Sequence, residues 1–378
     1  MNDAPGCPEK SYCPWRAALA LTLGLRVFYS GVAAIFAAVI PVNLQLMRSN
    51  AFTDTLPLPS HTFRYLFFDA WLRFDTLWYL RIARFGYDRA GSIVFYPLYP
   101  ILIRLASVVG NALASALFIS TLATFFLFWG LQKLLLLDFS ADKVRRALLI
   151  CAVWPASFIF FAGYTESLLL ALILWSLYAA RRDWWALAAL AAFAACLTKA
   201  VGVLVLVPLV VIAWRRRSFK AWPILLAPSG SAAFLLWLRI SGRGTPTDAF
   251  ARYWHITFSW PWATLWTACL GLSHSFNVIV AFNLLFVFLF CWFVLVSRMD
   301  SAYKLYALAA ILLFLTKHID PPLQSTARYL LIVFPAYMGV ENYFEGTQLK
   351  ARFGILCMIL MVANLGLMWL YLGWSLVL

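Results

Sequence analysis

The chain is 378 residues long, 64% hydrophobic and only 12% charged, with a mean hydropathy of +0.84, more apolar surface than a soluble domain of that length can hide. Its net charge of +15 sits in short clusters between apolar runs, as in the loops of membrane proteins under the positive-inside rule, so nucleic acid is not an expected partner and membrane lipid is. Seven cysteines without a CxxC indicate neither a disulfide framework nor a zinc site; Cys7 and Cys13 lie in a polar stretch and Cys151, Cys196, Cys291 and Cys357 in apolar runs.

Residues 1–14 read as a cytoplasmic tail and residues 15–378 as a single membrane domain. The apolar stretch 15–40 is too long for a signal-peptide core and lacks a small-residue cleavage site, so it is a first span. Arg26 lies too deep in it for easy snorkelling and is expected to face the bundle and pair internally. Residues 41–94 then form a long first external loop containing amphipathic helices. Crossings follow at 113–137, 147–161, 167–180, 184–197, 201–214, 224–238, 276–296, 305–315, 330–340 and 353–378. This register brings Asp142 to Arg146, Arg181 with Arg182, Arg215 to Arg217, Arg298 with Lys304, and Lys350 with Arg352 to the inside. The expected fold is all-α and polytopic, a bundle of roughly ten or eleven transmembrane helices, several of them shorter than the usual ~20 residues. Further external loops run over 239–262 and 317–328. Arg239, Arg243 and Arg252 fall outside against the rule, either as noise or as groups kept for an anionic ligand. There is no internal repeat at transporter scale.

The most mixed stretch is 67–100, where acids, arginines and aromatics interrupt the apolar pattern. As one helix over 62–84 it sets Trp71, Leu72, Trp78 and Tyr79 three or four positions from Asp75. Asp69 has Arg73 four residues on and Asp88 has Arg84 four residues back, so both are expected to be neutralised locally. Asp75 has no such neighbour. A carboxylate among rings loses hydration, favours taking up a proton and suits the work of a base, with a solvated loop acid as the bland alternative.

The other unusual residues gather on one side: Tyr164 to Glu166, Thr198 with Lys199, and the last external loop through Arg328. One base and several cations facing outward beside lipid suit transfer of a sugar from a lipid phosphate carrier. The phosphate is already a good leaving group, so a cation that steadies it matters more than a general acid. A single unpaired carboxylate fits inverting displacement, whereas glycoside hydrolysis calls for two. A lipid-linked-sugar transporter or flippase, and a noncatalytic subunit, stand as alternatives from other classes.

FDTLWYLRIARFGYD with FYPLYP, WPASFIFFAGYTESLLLAL, CLTKAVGVLVLVP, DAFARYWHITFSWPW and STARYLLIVFPAY together resemble the PIG-V family of mannosyltransferases, integral membrane enzymes of the GT-C class, over residues 26–337. The resemblance implies a GT-C fold, an outward site and a polyprenyl phosphate mannose donor; the same chemistry with another lipid-linked sugar is its nearest rival. The family's Trp-Asp pair falls on Phe74 and Asp75, which keeps the acid and loses the tryptophan. Arg328, in STARY, is expected to contact the donor phosphate or to anchor its span. Lys199 stands where relatives usually have arginine and either binds phosphate or snorkels. Lys317 and His318 share the Arg328 loop and are candidates to assist. Tyr96, in the aromatic-Pro-x-aromatic-Pro bend 95–100, touches sugar or packs the wall. Glu166 begins a helix, a sufficient structural reason for a carboxylate, and is also a candidate for substrate contact. Trp78, Tyr79 and Arg252 complete the candidate substrate-binding set. Too few acids form an oxygen cage to imply a metal, no cofactor is expected, and relatives of this class vary in metal use. The basic composition suggests a bacterial inner membrane, so the acceptor, a glycan or glycolipid, is not carried over from the eukaryotic glycosylphosphatidylinositol pathway.

Overall fold

The computed structural model describes residues 13–49, 56–344 and 349–375. Most of the expected tail, residues 50–55 of the first loop and the end of the last crossing lie outside them. The chain opens with α1 (Pro14–Val39), which turns Ala18, Thr22, Tyr29 and Ala33 inward and leaves Leu19, Leu23, Val27 and Ile35 exposed, the division expected of a helix with one face to lipid. A short α2 (Leu44–Ser49) follows. The first loop then carries α3 (Phe63–Phe67) and α4 (Asp75–Phe85), and α5 (Leu98–Ala106) begins within the proline-containing bend.

α6 (Ala112–Leu135) is the central helix and packs most heavily on α8 (Glu166–Arg181), with α7 (Ala141–Val153) between them in sequence. α9 (Trp185–Thr198) lies along α8, and α10 (Leu206–Arg215) packs against α8 and α15 (Ser301–Leu315). α11 (Ser229–Ile240), α12 (Pro246–Tyr253) and α13 (Pro261–His274) precede α14 (Val278–Val296). α16 (Thr326–Tyr329), α17 (Pro335–Glu341) and α18 (Leu349–Leu372) close the chain. One two-residue antiparallel pair, β1 (Thr257–Phe258) with β2 (Lys317–His318), ties the second external loop to the third.

Five helical segments among the described residues are long and apolar enough to cross a bilayer: Pro14–Val39, Ala112–Leu135, Phe219–Ile240, Val278–Val296 and Ala351–Leu372. Trp185–Thr198, Ala200–Arg215 and Ser301–Leu315 are shorter apolar helices. The crossings expected over 147–161 and 330–340 are not simple spans. The first is the end of α7 followed by a 3-10 turn, Ser157–Phe161, and the second is a 3-10 turn, Leu330–Ile332, leading into α17; both are buried in protein. Irregular backbone is tolerated at membrane depth only where protein satisfies its polar groups. Here the in-span polar residues do so. Arg26 Nη1 donates to the Phe161 carbonyl at 2.6 Å, Thr124 Oγ1 to Phe160 at 2.8 Å and Ser120 Oγ to Tyr164 at 3.2 Å. The Phe158 N–H donates to Asn364 Oδ1 on α18 at 3.3 Å. Arg26 therefore does face the bundle, with a carbonyl as its hydrogen-bond partner.

The expected helix over 62–84 is broken. Phe74 takes φ 43°, ψ −115°, outside any helical region and strained for a residue with a side chain. Its ring is buried against Tyr371 and Trp374 at the end of α18, with centroids 5.6 and 4.6 Å away. Arg73 reaches the same place: its Nε donates to the Leu372 carbonyl at 3.1 Å. The local ion pairs also differ from the i,i+4 expectation. Asp69 pairs with Arg64 at 3.4 Å and Asp88 with Arg81 at 2.5 Å, because Asp69 lies in a 3-10 turn before the break and Asp88 lies past the end of α4 at Phe85, so neither shares the helical face that the spacing assumed.

Candidate active site

The break at Phe74 makes Asp75 the first residue of α4, at the edge of the bundle rather than mid-helix. It is not alone. Arg328 Nη1 donates to Asp75 Oδ2 at 2.7 Å, with the two side chains 6% and 15% exposed. The same guanidinium reaches Glu166: Arg328 Nε lies 3.3 Å from Glu166 Oε1 as an ion pair without hydrogen-bond alignment. Glu166, first residue of α8 and 2% exposed, also accepts from Lys199 Nζ at 2.8 Å. Lys199 arrives there because α9 ends at Thr198 and the chain turns extended.

Tyr329 joins the group from the other side. Its hydroxyl accepts from Arg328 Nη2 at 3.2 Å, and Lys317 Nζ stands 4.0 Å over its ring, Lys199 Nζ 5.1 Å. Burial pushes the Tyr329 phenol up, but Lys317, then Arg328 and Lys199, draw it down to about 7. Three cations thus converge on two carboxylates and one phenol. Glu166 Oε2 and His318 Nδ1 are buried there or beside it without a hydrogen-bond partner.

Of the residues singled out by sequence, Asp75, Arg328, Lys199, Glu166 and Lys317 meet in this cluster. His318 neighbours it on β2, opposite Thr257. Tyr79 is buried with its hydroxyl 3.2 Å from Thr165 Oγ1, next to Glu166. Trp78 stacks on Phe95 and leans on Trp254, in the wall behind α4. Tyr96 packs against Phe234 with Ile93 and Leu238, in a separate apolar group. Arg252 is exposed on α12. Sequence reasoning placed Tyr164 among the unusual residues on one side without giving it a role and overlooked Tyr329, whose one available signal was its position directly after Arg328 in STARY. Among the described residues no three His, Cys, Asp or Glu side chains are grouped to hold a metal ion.

These features define a multi-pass helical membrane protein with a buried ionic cluster. No protein-family model matches the chain, and no curated protein matches it in sequence. Its fold is similar to that of ArnT from Cupriavidus metallidurans bound to undecaprenyl phosphate: TM-score 0.53 at 14% identity over 91% of this chain and 63% of that one. The apo form of the same protein aligns at TM-score 0.49 and 13% identity, covering 95% and 76%. The chain therefore spans less than two thirds of the lipid-bound relative.

Proposed function

We propose that the protein is an inverting glycosyltransferase that moves mannose from a polyprenyl phosphate carrier to a hydroxyl of a lipid-linked glycan or envelope acceptor, at the outer face of the membrane. The observation that carries the reading is the Arg328 bridge, which holds the candidate base Asp75 beside a cation able to take a phosphate. Asp75 accepts the acceptor's hydroxyl proton as that oxygen bonds to the anomeric carbon. The bond from that carbon to the phosphate oxygen breaks, and its electron pair leaves with the phosphate, steadied by Arg328 and Lys199. A guanidinium has five N–H donors, so Arg328 can serve Asp75 and a phosphate together. The fold likeness to a protein bound to undecaprenyl phosphate supports the carrier. The mannose rests on the motif resemblance alone.

The test is reconstituted full-length protein with polyprenyl phosphate mannose. Asp75→Asn should lower turnover by about 10²- to 10⁴-fold, the usual worth of a general base, with donor binding retained. Unchanged turnover rejects the role of Asp75. Competition with carriers bearing other sugars decides the donor, and movement of intact carrier without bond cleavage would favour a transporter.

A further inference from the structure

α8 joins two charged ends. Glu166 begins it at the candidate active site and Arg181 closes it, and 16 helical residues place them about 24 Å apart, close to the thickness of a bilayer's hydrocarbon core. At the Arg181 end lies a cavity of about 490 Å³ lined by Arg181, Arg215, Arg216 and Arg298 with Asp138 and Asp300. The four arginines come from three parts of the chain: the end of α8, Arg215 with Arg216 at the end of α10, and the turn before α15. A helix C-terminus accounts for a cation at Arg181 and Arg215, and the positive-inside rule for basic loops in general. Neither explains why they converge on one cavity, with the guanidinium groups of Arg181, Arg215 and Arg216 held in place.

The holding is done by acids. Asp138 accepts from both Arg181 Nη1 and Nη2, at 2.8 and 2.7 Å. Asp300 accepts from Arg215 Nη1 at 2.8 and 3.0 Å, while Arg215 Nη2 donates to Ser301 Oγ at 2.6 Å. Asp183 accepts from Arg216 Nη1 at 2.8 Å. Cations outnumber these acids, and guanidinium groups fixed in this way can offer the N–H donors that the acids do not take to a phosphate. A second cavity of about 710 Å³ shares Arg216 and adds Arg217 and Lys220, with Phe219 and Trp185 in its wall. Phe219, Trp214 and Trp222 are exposed beside it, as aromatics are at a membrane interface.

We infer that this pair of cavities binds a phosphate-bearing anion at the end of the bundle opposite the candidate active site, with the headgroup of an anionic lipid as its source. The aromatic rim favours the lipid, since it would lie along the acyl chains while the arginines hold the headgroup. The site is independent of the proposed glycosyl transfer.

The test uses the full chain purified in neutral detergent and native mass spectrometry with phosphatidylglycerol, phosphatidylcholine or inorganic phosphate. Wild-type protein should retain phosphatidylglycerol at least tenfold more tightly than phosphatidylcholine. Arg215→Gln with Arg298→Gln should abolish that preference and leave phosphatidylcholine retention unchanged. Millimolar inorganic phosphate that binds without any lipid preference would assign the same site to free phosphate. Equal retention of the two lipids with no phosphate binding overturns the inference, and that comparison needs no variant. A preference unchanged in the double variant overturns it as well.

Discussion

Tyr329 stands where three cations meet, and its charge state follows from that. With burial opposed by Lys317, Arg328 and Lys199, the phenol titrates at about 7 in the folded protein, against about 10 in an unfolded chain. The group is depressed, so the stability it contributes is full above about pH 10 and is lost as pH falls through about 7. Tyrosinate difference absorbance should therefore show one phenol ionising near neutrality, missing in Tyr329→Phe. The stability gap between the two proteins should shrink as pH falls from about 10 to about 7 and be gone below that; a wild-type protein whose tyrosines all ionise above pH 9 contradicts this. Gly163 is constrained in another way, because a Cβ there would meet Thr76 Cγ2 at 2.7 Å. Thr76 follows Asp75, so Gly163→Ala should push α4 aside and lower turnover with little change in the rest of the fold, as read by activity beside thermal melting.

At the scale of elements, the candidate site depends on backbone that is not helical. The stretch from Ser157 to Tyr164 delivers Glu166, and side chains from α1, α6 and α18 hold it. Asn364 is completely buried and serves it three ways, accepting from the Phe158 N–H and donating to Tyr29 Oη at 2.6 Å and Ser157 Oγ at 3.1 Å. Asn364→Leu leaves that N–H unsatisfied, a cost of about 1–3 kcal/mol. A lower melting temperature in detergent is the expected outcome, and an unchanged one would show that the stretch is held otherwise. Phe74 plays a related part for α4. Where the resembled family has tryptophan, this chain plugs a phenylalanine ring between Tyr371 and Trp374, so the position anchors the turn before Asp75 to α18.

For the whole molecule, the two charged ends of α8 should open to opposite sides of the membrane. Thr247 on α12 is exposed on the loop that β1 joins to Lys317, and Lys220 is exposed beside the arginine cavity. In a cysteine-free background, Thr247→Cys should react with a membrane-impermeant thiol reagent added outside intact cells, and Lys220→Cys only after the membrane is opened. Labelling of both from one side would overturn the sidedness of the proposed reaction. Fold class was legible in the sequence because a bilayer imposes long apolar runs. The same rule failed at 147–161 and 330–340, whose apolar residues face protein and whose backbone is free to bend there.

Composition and pattern alone determined that this is a helical membrane protein and set apart its few polar residues outside the basic clusters, since a charge in apolar surroundings is costly and stays only where it is partnered or used. Asp75, Glu166, Lys199, Lys317 and Arg328 were visible on that ground. Their meeting was not. The partner of Asp75 lies 253 positions away, the turn at Phe74 takes its shape from α18, and the cations around Tyr329 arrive on three separate elements. Chain spacing carries information about neighbours along one helix, whereas contacts between distant segments are set by how the helices pack, and only the folded bundle decided those.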